Sequence, residues 1–296
     1  MALQLQCVVA AVDMSPASKI TVFRAAKLAS NHGVVLRVVN VGLLRGALRA
    51  PEFFDVAALA RQAAERFNVQ VEVLKECASG PSCVARHVGP RGLIVMSHER
   101  QLSLRSLWRG SLAEQILRIA ESPVLVVKSR SESLGNYRKV VVAVDLTAVA
   151  CDLVRLAHSL DVGSALQILH SIRPLHPNPL RDAEIPQRVL QAYLIGRKKD
   201  AHEHLLQLAS GTVKCENVET VLREGDPALH TALQQSHSKA DLVVVGKRRA
   251  SALSDALRGS VAKRTLTWCE GDILVVPYEP SSDKSTSNCT RALSSS

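Results

Sequence analysis

The chain has 296 residues, 47% of them hydrophobic but only 3% aromatic, and a formal net charge of +10. That is enough apolar material for two ordinary domains or one large one, with cores that must be aliphatic. So few rings exclude an aromatic stacking platform for single-stranded nucleic acid. The positive balance favours anionic partners without choosing among nucleotide, nucleic acid and membrane surface.

Seven cysteines are scattered at Cys7, Cys77, Cys83, Cys151, Cys215, Cys269 and Cys289. An odd count without a C-x-x-C pair argues against a disulfide framework and a zinc ribbon, and a reducing cytoplasm fits best. The first apolar run, Cys7 to Val12, is short, has no basic leader and ends at Asp13, so it does not read as a secretory signal. No apolar run is long enough to span a bilayer, and no membrane partner is expected.

The run "CVVAAVD" (Cys7 to Asp13) predicts a first buried strand, and Ser15-Pro16 predicts the start of a helix, with Ser15 as its cap. Strands and helices then alternate as far as "VLVVK" (Val124 to Lys128). "SESLGNYR" (Ser131 to Arg138) is polar and reads as a linker. The plan then repeats. "VVVAVD" (Val140 to Asp145) returns the first strand, Asp226-Pro227 opens a helix, and "ILVVP" (Ile273 to Pro277) returns the last strand. Asp13 and Asp145 stand 132 residues apart while Gly110-Ser111 and Gly259-Ser260 stand 149 apart, so the second copy carries 17 net extra residues. The proline-rich segment Ser171 to Pro186 is the expected place for most of them.

Each copy reads strand–helix–strand–helix–strand–helix–strand–loop–helix–strand. That order predicts an α/β fold of two tandem doubly wound domains, each a mostly parallel five-stranded sheet with helices on both faces. The expected divisions are residues 1–130, a linker 131–138, a second domain 139–280, and a serine-rich disordered tail 281–296.

In such a sheet ligands sit beyond the carboxyl ends of the strands. In "VVVGKRRASALSDALRGSVAKRTL" (Val243 to Leu266), Gly246 is read as the end of a strand and Ser260 as the start of a helix. Glycine lets the backbone approach a ligand, and a helix start offers free N–H groups and a positive dipole end suited to phosphate. Lys247, Arg248, Arg249 and Arg258 add charge nearby. The corresponding loop of the first copy keeps Gly110-Ser111 but opens with Ser97.

On these residues the chain resembles the universal stress protein family, whose pattern is G-x2-G-x9-G-[ST] before the last helix, with an aspartate ending the first strand. The resemblance covers residues 4–128 and 139–277, and the whole looks like a tandem member. It implies an ATP or AMP site. Asp145 would meet the adenosine end, and backbone near Ser171 the base. Val245 and Gly246 would line the ribose and phosphates, and Gly259, Ser260 and Val261 would hold the phosphates. In the first copy Asp13, Val41, Gly110 and Ser111 match. The departures are Arg249 at the middle glycine of the second copy, and Ser97 and Arg100 at the first two of the first. Arg249 either blocks backbone approach or reaches the phosphates as a cation. The resemblance also implies that the last strands pair the two halves as a pseudo-dimer inside one chain. A further homodimer and an unidentified protein partner stay open.

The competing readings are plainer. Asp13 and Asp145 can shape turns, the loop cations can be solvated surface, and Gly259-Ser260 can be a helix cap. His202-Glu203-His204 lacks metal spacing, because residues two apart on a helix face different ways. No G-x-S-x-G elbow and no P-loop occur. No recognition-helix or basic-stripe pattern points to DNA. The leading expectation is a non-enzymatic adenine-nucleotide-binding module for stress response or signalling. The alternatives are an interaction scaffold of the same fold with decayed sites and, third, a slow ATPase.

Overall fold

Uninterrupted β-branched runs build strands buried on both faces, which places them inside a parallel sheet with helices above and below. The computed structural model describes residues 5–13, 15–41, 55–74, 81–89, 91–97, 112–128, 134–173, 187–212, 217–249 and 261–279. In the first copy the strands are β1 (Cys7–Val12), β2 (Val35–Asn40), β3 (Val71–Leu74), β4 (Gly92–Ser97) and β5 (Val124–Val127). Between them come α1 (Ala17–His32), α2 (Val56–Phe67), α3 (Pro81–Val88) and α4 (Leu112–Ile119). The second copy repeats the order with β6 (Lys139–Val144), α5 (Ala150–Leu160), β7 (Ala165–Ile172), α6 (Gln187–Thr212), β8 (Val218–Glu224), α7 (Pro227–Ser238), β9 (Leu242–Arg248), α8 (Val261–Trp268) and β10 (Asp272–Tyr278).

All strands join one ten-stranded sheet in the order β3-β2-β1-β4-β5-β10-β9-β6-β7-β8. Every neighbouring pair is parallel except β5 and β10, which meet antiparallel. Leu125 lies opposite Leu274 there, and these two positions are related by the 149-residue offset of the repeat. Equivalent residues facing each other across an antiparallel junction is the arrangement of a two-fold pair, built here within one chain. The β5 edge of one copy and the β10 edge of the other are thereby covered. One apolar layer packs α1, α2, α5 and α6 on the sheet. The other packs α3, α4 and α8.

Polar groups also cross the junction. Asp272 is fully buried, and its carboxylate takes Arg24 at 3.4 Å, the Tyr137 hydroxyl at 2.8 Å and the Lys128 backbone N–H at 2.9 Å. Arg24 also donates to the Gly135 carbonyl at 2.7 Å, and its guanidinium lies 4.6 Å from the Tyr137 ring centre. The Lys128 ammonium donates to the Leu266 carbonyl in α8, and the Lys247 ammonium to the Leu117 carbonyl in α4. Leu117 and Leu266 are equivalent positions of the repeat. Each copy's last helix is therefore met near its negative end by a lysine of the other copy.

Three expectations are corrected. The 17 extra residues do lie between the second and third strands of the second copy, but most are helix: α6 has 26 residues and α2 has 12. Ser15 does not cap α1. The cap position is Pro16, with no side-chain bond, and the Asp13 carboxylate braces the turn before it, accepting from the Ser15 N–H at 3.2 Å and the Ser18 hydroxyl at 3.3 Å. Asp226, by contrast, caps α7 through the Leu229 N–H at 2.9 Å, with Pro227 in the first turn. Cys83 and Cys151 are each engaged in a disulfide. Among the described residues the free thiols are Cys7 and Cys269. No helix among the described residues is long and apolar enough to cross a membrane.

Candidate functional site

A cavity of about 900 Å³ opens at the carboxyl edge of the second copy's strands. Its floor is the ends of β6 (Ala143 to Leu146), β7 (His170 to Arg173) and β9 (Val245 to Arg248). Leu153 of α5, Arg197, Asp200, Ala201 and His204 of α6, and Pro227 of α7 wall it. Val261 and Ala262, the first residues of α8, and Tyr278, the last of β10, complete the rim. The volume lies within the usual range of small-molecule sites. Three side chains whose charge is not drawn off to the first copy (Arg173, Arg197 and Arg248) and two carboxylates (Asp145 and Asp200) line it, a balance suited to an anion.

Val261 and Ala262 of α8 border this space, and the opening turn of a helix carries N–H groups without internal acceptors. Gly246 forms part of the floor. A methyl group placed there would stand 3.0 Å from Tyr278 Cε1 and 3.2 Å from Leu153 Cδ1, so this glycine keeps the floor low. Leu146, directly after Asp145, adopts a left-handed backbone with φ of 57°. That is costly for a bulky side chain, and it turns the chain sharply between β6 and α5.

Asp145 has both carboxylate oxygens engaged. Oδ1 accepts from the Thr147 hydroxyl at 2.7 Å and its N–H at 3.3 Å, and Oδ2 from the Tyr278 hydroxyl at 3.1 Å. Burial, followed by the charge of Asp145, raises the Tyr278 pKa, so the phenol stays a donor. His170 Nδ1 lies 2.8 Å from the Val144 carbonyl. Burial lowers the His170 pKa, and the charge of Arg197 adds to this, so the imidazole is neutral near pH 7. The Ser171 hydroxyl donates to the Gly225 carbonyl at 3.0 Å, which leaves the backbone of β7 as the surface it presents.

Of the residues read from the sequence, Asp145, Ser171, Val245, Gly246 and Val261 meet around the cavity. Arg249 does not line it: its guanidinium pairs with Glu279 at 3.0 Å and with Glu121 of the first copy. Lys247 is buried with its ammonium on the first copy's α4, held there by the Leu117 carbonyl, with the Arg118 carbonyl at 3.4 Å. Neither cation is aimed at a ligand as its position in the loop suggested. Nor does the strand end at Gly246; β9 continues through Arg248, paired with Tyr278 of β10. In the first copy Asp13 serves the turn before α1, and Val41 is fully buried with its N–H on the Val12 carbonyl at 2.7 Å. Gly110, Ser111, Gly259 and Ser260, with Arg100 and Arg258, lie outside the described residues.

Sequence reasoning missed Tyr278 and the α6 wall. A lone tyrosine after "ILVVP" carries no motif. The α6 residues follow a proline-rich segment that drew attention away from the helix behind it.

The sequence model of the universal stress protein family matches residues 5–128 and again 136–277. The chain belongs to the universal stress protein family. Two solved structures share the tandem architecture. A universal stress protein from Archaeoglobus fulgidus DSM 4304 is 17% identical with a TM-score of 0.65, over 93% of this chain and 97% of its own. A protein of unknown function from Pseudomonas aeruginosa PAO1 is 16% identical with a TM-score of 0.68, over 99% of both chains. At these identities the likeness establishes the fold of a tandem universal stress protein and nothing finer. No curated protein sequence matches the chain significantly.

Proposed function

We propose that this tandem universal stress protein is a non-enzymatic nucleotide-binding module whose second copy holds ATP or AMP. The observation that carries the reading is the basic cavity of about 900 Å³ framed by Asp145, Gly246 and the start of α8. In this reading the phosphates lie against the positive end of α8, with Gly259 and Ser260, the two residues before Val261, supplying further donors. The nucleoside extends across β6 toward β7. Nucleotide occupancy then alters a surface read by a protein partner. Calorimetry with ATP and AMP tests the claim. Heat of binding with a thermal shift is expected, and neither at millimolar ligand removes it. Mass spectrometry of the intact complex, freshly purified, shows whether an adenine nucleotide travels with the chain.

A second reading, an interaction scaffold with decayed sites, draws on Tyr278. Its hydroxyl holds the Asp145 carboxylate and its ring packs over Gly246, so the protein itself engages both groups. Under the scaffold reading this packing is permanent, and Tyr278→Ala leaves ATP affinity nil.

A further inference from the structure

α6 is the element in which the second copy departs most from the first. Pairing β7 with β8 sets Leu166 opposite Val218, while pairing β2 with β3 sets Leu36 opposite Val71. Aligned back from these strands, Val56, the first residue of α2, corresponds to Glu203 of α6. The preceding turns, which carry Arg197 and Asp200, have no counterpart in α2.

Those turns are aimed. Arg197, Asp200, Ala201 and His204 recur at the spacing of a single helix face, and all four line the cavity. Further along the helix Leu205 and Leu208 are buried against the core. The inward face of α6 is thus apolar where it meets the sheet and polar where it meets the cavity. Convergent polar groups beside apolar surface are what orient a ligand. Lys198, one residue beyond Arg197, pairs with Glu224 of β8 at 2.5 Å. Among the described residues Asp200 makes no ion pair, whereas Asp145 on the opposite wall is already held by Thr147 and Tyr278.

The cavity therefore has two unlike ends. The α8 end offers a helix start, suited to phosphate. The α6 end offers a carboxylate acceptor three residues from a guanidinium donor. We infer that Arg197 and Asp200 determine base specificity: Asp200 accepts a hydrogen bond from the amino group of an adenine, and Arg197 donates to a ring nitrogen beside it. The inference rests on the nucleotide reading above and adds the residues that recognise the base. Arg197 also reaches the field of His170 at the end of β7, which places its charge over that end of the cavity.

The test compares ATP with ribose 5-triphosphate, which keeps the phosphates and lacks the base, by calorimetry on the full chain. Wild-type protein is expected to bind ATP about tenfold or more tightly than ribose 5-triphosphate, the worth of a hydrogen bond to a charged group. Asp200→Ala and Arg197→Ala each shrink that ratio to about twofold, while Asp200→Asn, whose amide oxygen still accepts, retains part of it. A ratio unchanged in both alanine variants overturns the inference and leaves the nucleotide reading standing. Wild-type protein that takes up neither ligand overturns both.

Discussion

The two copies share an order of elements and differ at their carboxyl edges. At the first edge Asp13 braces the turn before α1, and Ser97 stands where the second has Gly246. At the second edge Asp145 braces a similar turn with one oxygen and meets Tyr278 with the other, and a helix more than twice as long as α2 walls a cavity. The junction is also unequal. Under the repeat's offsets Arg24 falls on Leu156 and Asp272 on Pro123, so the buried ion pair exists on one side of the pseudo-two-fold and has no mirror image. The lesson is a division of labour. The first copy supplies clamps, through Arg24, Lys128, Glu121 and the carbonyls of α4, and the second, among the described residues, supplies the cavity.

The largest effect that would break this comparison lies at the clamp. Arg24→Met leaves Asp272 buried beside Tyr137 without its cation, and unfolding in urea should show a loss of about 3 to 5 kcal/mol. Leu156→Met, at the mirrored position, should cost under about 1.5 kcal/mol. Equal losses would mean that the two sides are equivalent after all.

Gly246→Leu comes next. Its side chain would enter the space held by Tyr278 and Leu153, and ATP binding should weaken by about 100-fold, the size of a full overpacking penalty. Ser97→Leu in the first copy should leave the measured affinity where it was. Tyr278→Phe is smaller. It frees one oxygen of Asp145, and if that oxygen serves the ligand, affinity rises about fivefold, in line with the net worth of one hydrogen bond. No change would show that Asp145 serves only its turn.

Arg249→Gly restores the family's glycine and sharpens the comparison by doing little. Because Arg249 pairs with Glu121 and Glu279 away from the cavity, ATP affinity should move less than about threefold and stability by about 0 to 1 kcal/mol. A sharp gain in affinity would place its side chain in the pocket. The smallest effect is on pH dependence. Burial lowers the pKa of His170, and of His32 in the first copy. Below the ordinary histidine value of 6.5 the unfolded chain takes up protons that the folded chain resists, so stability falls as pH drops through that value toward the lowered ones. Thermal scans between pH 7.5 and about pH 5 should show this decline, and it should lessen in His170→Phe.

The alternation of strand and helix, the duplication and the family were legible in the chain, because each depends on local pattern: buried β-branched runs, a capped α7 at Asp226-Pro227, and two aspartates that end strands. Part of the candidate site was legible too, since Asp145, Ser171, Val245, Gly246 and Val261 lie at strand ends or a helix start, which a doubly wound topology must bring to one edge. The destinations of Lys247 and Arg249 were not, because a long flexible cation in a loop reads the same whether it meets a phosphate or the carbonyls and carboxylates of another domain. Only the antiparallel meeting of β5 and β10 set α4 and Glu121 within their reach. Tyr278 and the polar face of α6 likewise acquire meaning from what stands opposite them. Sequence periodicity reports which face of an element is apolar, whereas the identity of the neighbour across a gap is a property of the assembled sheet.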